Sequence, residues 1–451
     1  MKEEIIEIKE KIIELLEDKK YSKLHEYVEK LTTQDLALLF EEISKEDMIR
    51  VFRLLPKDEA ADVFSYMEPD LQEELINLFT DKELKQVLDE LYMDDTVDLI
   101  EEMPSNVVKR ILKGVNKTDR KLINELLKYP ADSAGSIMTT EFADLKINMT
   151  VEEAFEKIRK IALDKETVYT CYILDTSRKI VGIVDVKELL IAQKNTLIKD
   201  IMDTNVVTVN TLEDKEEVAK KFDKYDLVAL PVVDKEDRLV GIITVDDAMD
   251  VLQEENTEDF EIMAAITPSE ESYFKTSVFK HAKNRILWLL LLMLSATVTG
   301  AILTHYEEAF AAVPILVSFI PMIMGTGGNC GSQSSTLIIR GMAMDEIKLS
   351  NFFKAIWKEI RVALLVGIAL ALVNGIRIMI QYKDLKLAIV LGLTLIGTVT
   401  LAKMLGCMLP MLAKKLKLDP AIMAAPLITT IVDTCSILIY FTIAVSIMQI
   451  K

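Results

Sequence analysis

The amino-acid sequence predicts a multidomain membrane protein: an all-α N-terminal superhelix, an α+β module present in two tandem copies, a connecting helix, and a five-helix α transmembrane domain. Three observations predict it. Charge is divided along the chain: residues 1–275 hold 37 Lys and Arg against 64 Asp and Glu, whereas residues 276–451 hold 16 against 8. Five apolar segments follow Lys283, each long enough to cross ~30 Å of hydrocarbon. Between these regions the chain repeats itself, "KIVGIVDVKELL" being echoed 59 residues later by "RLVGIITVDDAM". At 451 residues several domains are expected, with boundaries at 1–130, 131–253, 254–283 and 284–451.

The first 130 residues read as helices with a weak repeat. Asp58, Asp62 and Met67 recur as Asp94, Asp98 and Met103 at a shift of 36 residues, a period suited to stacked helical hairpins. Asp94 and Asp98 fall one turn apart on one helix face, with Asp95 beside them. The opening "MKEEIIEIKEKIIELLEDKK" is a charged amphipathic helix and not a signal peptide, so a cytosolic N-terminus is expected. The acidic balance would repel phosphate backbones, which argues against nucleic acid as a partner. Divalent cations are its natural ligands, although a solubilising surface alone would also account for it. Cys171, Cys330, Cys407 and Cys435 show neither zinc spacing nor a disulfide framework, and three histidines are too few for a transition-metal cage.

From Ile137, "IMTTEFADLKINMTVEEAFEKI" is echoed 64 residues on by "IMDTNVVTVNTLEDKEEVAKKF". Each copy reads as strand, helix, strand, polar turn, strand and helix. The pair resembles tandem CBS domains, the "VGIIT" ending followed by Asp being the specific part of the match. CBS pairs often bind adenosine nucleotides between the copies. In that pattern Thr244 and Asp247 fall where a phosphate and a ribose hydroxyl would be held, so ATP is the cofactor the resemblance implies. The first copy has Asp185 and Glu188 at the matching places and looks less suited to phosphate. A purely structural dimerisation module is the alternative. A second acidic run, "DDAMDVLQEENTEDFE" (246–261), leaves the second copy. Two acidic faces repel unless cations sit between them, which would make their separation a readout of cation concentration.

The apolar segments run over 285–304, 309–339, 360–381, 385–411 and 420–448. Lys280, Lys283, Arg285, Arg340, Lys348, Lys354, Lys358, Arg361, Lys414, Lys415 and Lys417 flank one side, against Lys383, Lys386 and Lys451 on the other. The asymmetry fits the positive-inside rule, so a multi-pass protein of the cell membrane is expected, with the N-terminus cytosolic and, after five spans, the C-terminus outside. The second segment contains Pro314, Pro321 and "GTGGNCGSQSST", which predicts a helix broken within the membrane, presenting Asn329, Ser332, Gln333 and Thr336 to a wet cavity. Close packing of small residues is the other explanation. The fifth segment carries Asp433 near its middle, at a cost of roughly 2.5–3.5 kcal/mol on insertion scales. Pro426, Thr429, Thr430 and Asp433 share a helix face. Lys403 and Arg377 are the intramembrane cations, and a salt bridge from Asp433 to Lys403 is the structural alternative to an ion site.

With "GGNCGSQS" and "DPAIMAAPLITTIVD" added to the domain order, the whole chain resembles the MgtE family of magnesium channels or transporters. The resemblance implies a homodimer with a pore between its membrane domains. There Asp433 would bind Mg²⁺, helped by Asn329, Thr429 and Ala425. It also implies that cytosolic Mg²⁺ bridges the N-terminal domain, the CBS pair and the connecting helix, holding the pore shut. The matching residues are Asp94, Asp98, Asp226, Asp247, Asp250, Glu255, Glu258 and Asp259. Cys330 stands where Ala is more usual, and Ala425 where some members carry Asn. Mg²⁺ releases water reluctantly, so a hydrated ion held by two Asp433 carboxylates would suit a dimer axis. A non-transporting Mg²⁺ or nucleotide sensor and a CBS-regulated transporter of another divalent cation remain as alternatives. No nucleophile–base pair points to an enzyme.

Overall fold

The computed structural model describes residues 2–269, 273–274, 276–423 and 425–449, and the chain divides into two compact units, Met1–Leu252 and Gln253–Lys451.

The first unit opens with short helices from Lys2–Glu17 to Lys117–Leu126. They are short because the sequence restarts them: the side chains of Thr32, Ser44, Thr80 and Asn116 each accept a backbone N–H from the turn they cap. Helices pack on the next but one, Thr33–Glu42 on Lys57–Ser65, then Asp81–Leu88, then Ser105–Gly114. This is the stacking that the 36-residue shift predicts, with Leu39, Phe40, Val63, Phe64, Leu75 and Ile76 inside.

The two CBS copies each form a three-stranded sheet. Phe142–Lys146 runs parallel to Thr167–Leu174, which pairs antiparallel with Ile180–Asp185. The second copy repeats this with Val209–Asn210, Ala229–Val233 and Leu239–Thr244. The repeated glycine has a steric reason. A Cβ on Gly182 would stand 2.9 Å from the Asp203 carbonyl oxygen, and one on Gly241 would stand 2.7 Å from that of Thr139. Met202 and Met138 lie against the same two glycines. The "IM" stretch that begins each copy therefore crosses the "VGI" strand of the other, and the two repeats interlock.

The helix leaving the second copy runs Val245–Met263. The expected connecting helix at 254–283 is thus not one piece: Ala265 takes φ 56° and Pro268 has no N–H to donate. Helix resumes at Val278, capped by Ser277, and continues to His305 as the first span. Among the described residues, five stretches are long and apolar enough to cross a membrane: Val278–His305, Pro314–Ala343, Leu349–Gln381, Leu385–Lys415 and Pro420–Met448.

The second span corrects the sequence reading. Its irregular part is the 3₁₀ turn Pro314–Phe319, and "GTGGNCGSQSST" lies inside an unbroken α-helix, Ile320–Ala343. The glycines serve packing. A Cβ on Gly327 would be 2.9 Å from Val432 and from the Ser436 hydroxyl, and one on Gly331 would be 2.6 Å from Ile428. In lipid, where apolar burial between helices gains little, such close approach supplies the contact. At the other end Leu316, Phe319, Leu391, Tyr440 and Phe441 pack together, and the Tyr440 hydroxyl donates to the Leu316 carbonyl at 2.9 Å.

Candidate functional sites

The first site gathers carboxylates in the N-terminal unit. Met93–Glu102 presents Asp94, Asp95 and Asp98. Val245–Met263 brings Asp246 and Asp247 in its first turn, and Glu166 comes from the approach to the second strand of the first CBS copy. Nearby, the Tyr92 hydroxyl donates to the Lys165 carbonyl at 3.5 Å. Burial, then the charges of Asp247, Asp95 and Glu166, hold Asp94 well above the ordinary carboxylate range. Burial and the charge of Asp247 push Asp95 up to about 7, and Glu166 is pushed up to about 8 by burial and Asp95. Asp247 rises to about 6, mainly through burial, although Thr244 donates its hydroxyl to it at 2.6 Å. Asp98 is raised in the same way at the exposed edge.

Among the described residues, the charges that act most strongly on these groups are other carboxylates rather than Lys or Arg. Glu166 Oε2 is buried without a hydrogen-bond partner among the described residues. Such an orphaned oxygen among like charges fits a hard cation. Among the described residues no group of three or more His, Cys, Asp or Glu side chains is arranged to hold a metal ion directly.

The expected residues divide accordingly. Asp94, Asp98 and Asp247 are brought together. Asp226 is exposed at the end of Lys215–Tyr225 with φ 52°, and its charge is not among those acting on the cluster. Asp250, Glu255, Glu258 and Asp259 follow Asp247 along its helix. Glu166 and the role of Asp95 were missed: "ALDKETVYT" gives Glu166 no periodic signal, and only the fold carries it to Asp94.

The second site lies on the membrane unit. Along Ile320–Ala343, Gly325, Asn329, Gln333, Thr336 and Arg340 are exposed, while Gly327, Gly328, Cys330, Gly331, Ser334 and Ser335 are buried. The helix thus keeps one polar stripe outside its own bundle. A Cβ on Gly328 would lie 2.9 Å from the Thr429 methyl group, so the stripe borders the fifth helix, Ala425–Met448, where Thr429 and Asp433 are half-buried. The Thr429 and Thr430 hydroxyls donate to the Pro426 carbonyl at 2.9 and 3.0 Å. Asp433 has no hydrogen-bond or ion-pair partner among the described residues. Ala425 begins the helix, and its side chain lies outside those the structure describes.

The salt-bridge alternative fails. Lys403 Nζ lies 3.9 Å from Glu359 Oε2 and 3.3 Å from Ser334 Oγ, leaving Asp433 unpaired by it. Glu359 stands just before the apolar run that begins at 360, so the sequence does not mark it as a charge within the membrane. Arg377 is exposed, its guanidinium 5.8 Å from the Phe319 ring centre.

Comparison with known proteins decides the family. The chain is 32% identical to magnesium transporter MgtE of Bacillus subtilis over 434 residues, covering 96% of each. It is 35% identical to the Thermus thermophilus magnesium transporter MgtE, covering 93% of this chain and 94% of the relative. The chain belongs to the MgtE family. Residues 320–443 match MgtE as a divalent cation transporter, residues 31–132 match the MgtE intracellular N domain, and 134–195 and 198–254 match CBS domains. The fold of its N-terminal part is similar to the cytosolic domain of the Mg²⁺ channel MgtE solved with ATP (TM-score 0.51, 36% identity, 53% of this chain and 98% of that one). It is also similar to the soluble part of a magnesium transporter (TM-score 0.53, 30% identity, 56% and 99%). With its five apolar spans, this MgtE member is a multi-pass membrane protein.

Proposed function

We propose that the chain carries Mg²⁺ across the membrane as a homodimer and is closed by cytosolic Mg²⁺. The observation that carries the reading is the exposed polar stripe of Asn329, Gln333 and Thr336 beside an unpaired Asp433 on a membrane-spanning surface. Unsatisfied polar groups cost several kcal/mol each against hydrocarbon, so this surface belongs against a second copy and water. Two copies then place two Asp433 carboxylates and two Asn329 amides around one path, where a hydrated Mg²⁺ is held through its water. Thr429 offers the remaining lone pairs of its hydroxyl, and Ala425 contributes backbone alone.

Regulation follows from the acidic cluster. Asp94, Asp95, Asp98, Glu166 and Asp247 would hold regulatory Mg²⁺ when it is plentiful, with Asp250, Glu255, Glu258 and Asp259 further along the same helix. Asp226, at the exposed helix end, serves as an outer ligand. Losing the ion restores the repulsion and frees the linking segment. In this reading the acidic unit faces the cytosol and the C-terminus lies outside, which the asymmetry of the flanking Lys and Arg supports. ATP at Thr244 and Asp247 is supported by the relative solved with it. The bond between Thr244 and Asp247 would make nucleotide and Mg²⁺ compete for one carboxylate.

The test is Mg²⁺ uptake into liposomes carrying the purified protein, with Asp433→Ala as control. Flux that disappears in a folded Asp433→Ala variant is expected. Equal flux in both removes Asp433 from the path, and an intact dimer with no flux under any Mg²⁺ condition would leave a sensor.

A further inference from the structure

Behind the polar stripe, inside the bundle, lies a charged contact that the ion path does not use. Lys403 and Glu359 have side chains only 6% and 13% exposed, and Ser334 is wholly buried. The Ser334 hydroxyl donates to Glu359, and the Lys403 ammonium lies 3.3 Å from Ser334 Oγ and 3.9 Å from the Glu359 carboxylate. The three residues come from three spans: Ile320–Ala343, Phe352–Gln381 and Leu385–Lys415. The next residue, Ser335, donates to the Met423 carbonyl at 2.9 Å, in the turn Pro420–Met423 that leads to the fifth helix. The helix bearing the stripe is therefore tied to its neighbours through Ser334 and Ser335, on its buried side.

Small-residue contacts alone leave such a helix poorly fixed about its own axis. Glycine and serine present few knobs, and a turn of one residue would carry Asn329 and Gln333 about 100° round. A hydrogen-bonded ion pair is directional. It also costs desolvation, so its retention in a membrane interior points to specificity of arrangement. There is little slack beside it: a Cβ on Gly406 would come 2.3 Å from the Gly331 carbonyl oxygen, so these two backbones already touch.

We infer that Glu359, Lys403 and Ser334 are positioning residues for the ion path, a neutral buried pin that fixes the rotation of Ile320–Ala343 and keeps Asn329 and Gln333 turned to the permeating cation. This rests on the reading that the polar stripe lines the path. Neutrality matters as well as direction. Glu359→Gln leaves an uncompensated positive charge behind the path and weakens attraction of a divalent ion, whereas Lys403→Met leaves a negative one and strengthens it.

The experiment is uptake of Mg²⁺ and of Ca²⁺ into liposomes carrying the full-length protein: wild type, Asp433→Ala, Glu359→Gln, Lys403→Met and the double Glu359→Gln/Lys403→Met. Each single change is expected to lower Mg²⁺ flux about tenfold or more, because one buried charge loses its partner. Each should also change the ratio of Mg²⁺ to Ca²⁺ flux from that of wild type, with half-saturation moved up in Glu359→Gln and down in Lys403→Met. The double variant restores neutrality, and the amide oxygen that Glu359→Gln supplies still accepts from Ser334, so the directional part of the pin persists and flux should recover to within about threefold of wild type. Singles with wild-type flux and preference, or a double variant as impaired as the worse single, overturn the inference. Should the singles fail to fold, the double variant still decides: recovered flux supports the pin, and failure to fold overturns it. Absence of flux in wild type would instead sink the transport reading, which separates the two failures.

Discussion

Glu166→Gln tests the acidic cluster most directly, because it removes one charge and little volume. An unfolded glutamate ionises near about 4.3, whereas burial and the charge of Asp95 push Glu166 up to about 8. The folded state therefore retains a proton that the unfolded state releases, and this contribution to stability falls as pH rises from about 4 to about 8. At pH 7 the gap to the unfolded value corresponds to about 3.5 kcal/mol. Water entry and relaxation reduce this to about 1–3 kcal/mol, or about 3–10 °C in the midpoint of a unit of this size. Glutamine is never ionised and escapes the cost, so the variant should be more stable than wild type without Mg²⁺. With saturating Mg²⁺ it should gain less than wild type, because one ligand oxygen has lost its charge. The assay is calorimetry of the full-length protein in detergent at pH 7, in EDTA and in Mg²⁺. Both tryptophans, Trp288 and Trp357, lie in the membrane unit, so a heat transition silent in tryptophan fluorescence belongs to residues 1–252. An unchanged EDTA midpoint together with an unchanged Mg²⁺ shift would refute the cluster as described.

Other expectations follow from the same geometry. In EDTA the wild-type soluble transition should fall steadily from pH 5 to 8, as Asp247, Asp95 and Glu166 ionise against one another, and Mg²⁺ should flatten that profile; parallel profiles would exclude ion binding there. Gly241→Ala drives a methyl group to 2.7 Å from the Thr139 carbonyl oxygen, and should cost about 1–3 kcal/mol in the same calorimetric transition. Gln333→Cys, on the exposed stripe, should form a cross-linked dimer with a short bifunctional maleimide in membranes. Monomer alone on the gel would argue against stripes facing each other.

Sequence alone determined the order of the parts and much of their chemistry. Charge asymmetry and apolar length separated the soluble unit from five spans, because hydration and hydrocarbon transfer act residue by residue along the chain. The 36-residue shift and the two CBS offsets were legible because a repeated structural unit needs the same caps, apolar faces and glycines each time. Asp433 stood out for the same kind of reason, since a carboxylate in an apolar segment needs no partner to be conspicuous. Tertiary structure decided what depends on neighbours distant in the chain. Glu166 joins the cluster only because the first CBS copy brings its charge to act on Asp94, and its pKa is raised first by burial there and then by the neighbouring carboxylates Asp95 and Asp247. Lys403 was given Glu359 and not Asp433 by the crossing of three helices. The cluster "GTGGNCGSQSST" reads as a break by local propensity, yet it is a continuous helix whose Gly327, Gly328 and Gly331 leave room for close contact with Leu385–Lys415 and Ala425–Met448. In lipid a helix cannot leave its backbone groups unpaired, and close packing against neighbours outweighs the intrinsic preference of glycine for other conformations.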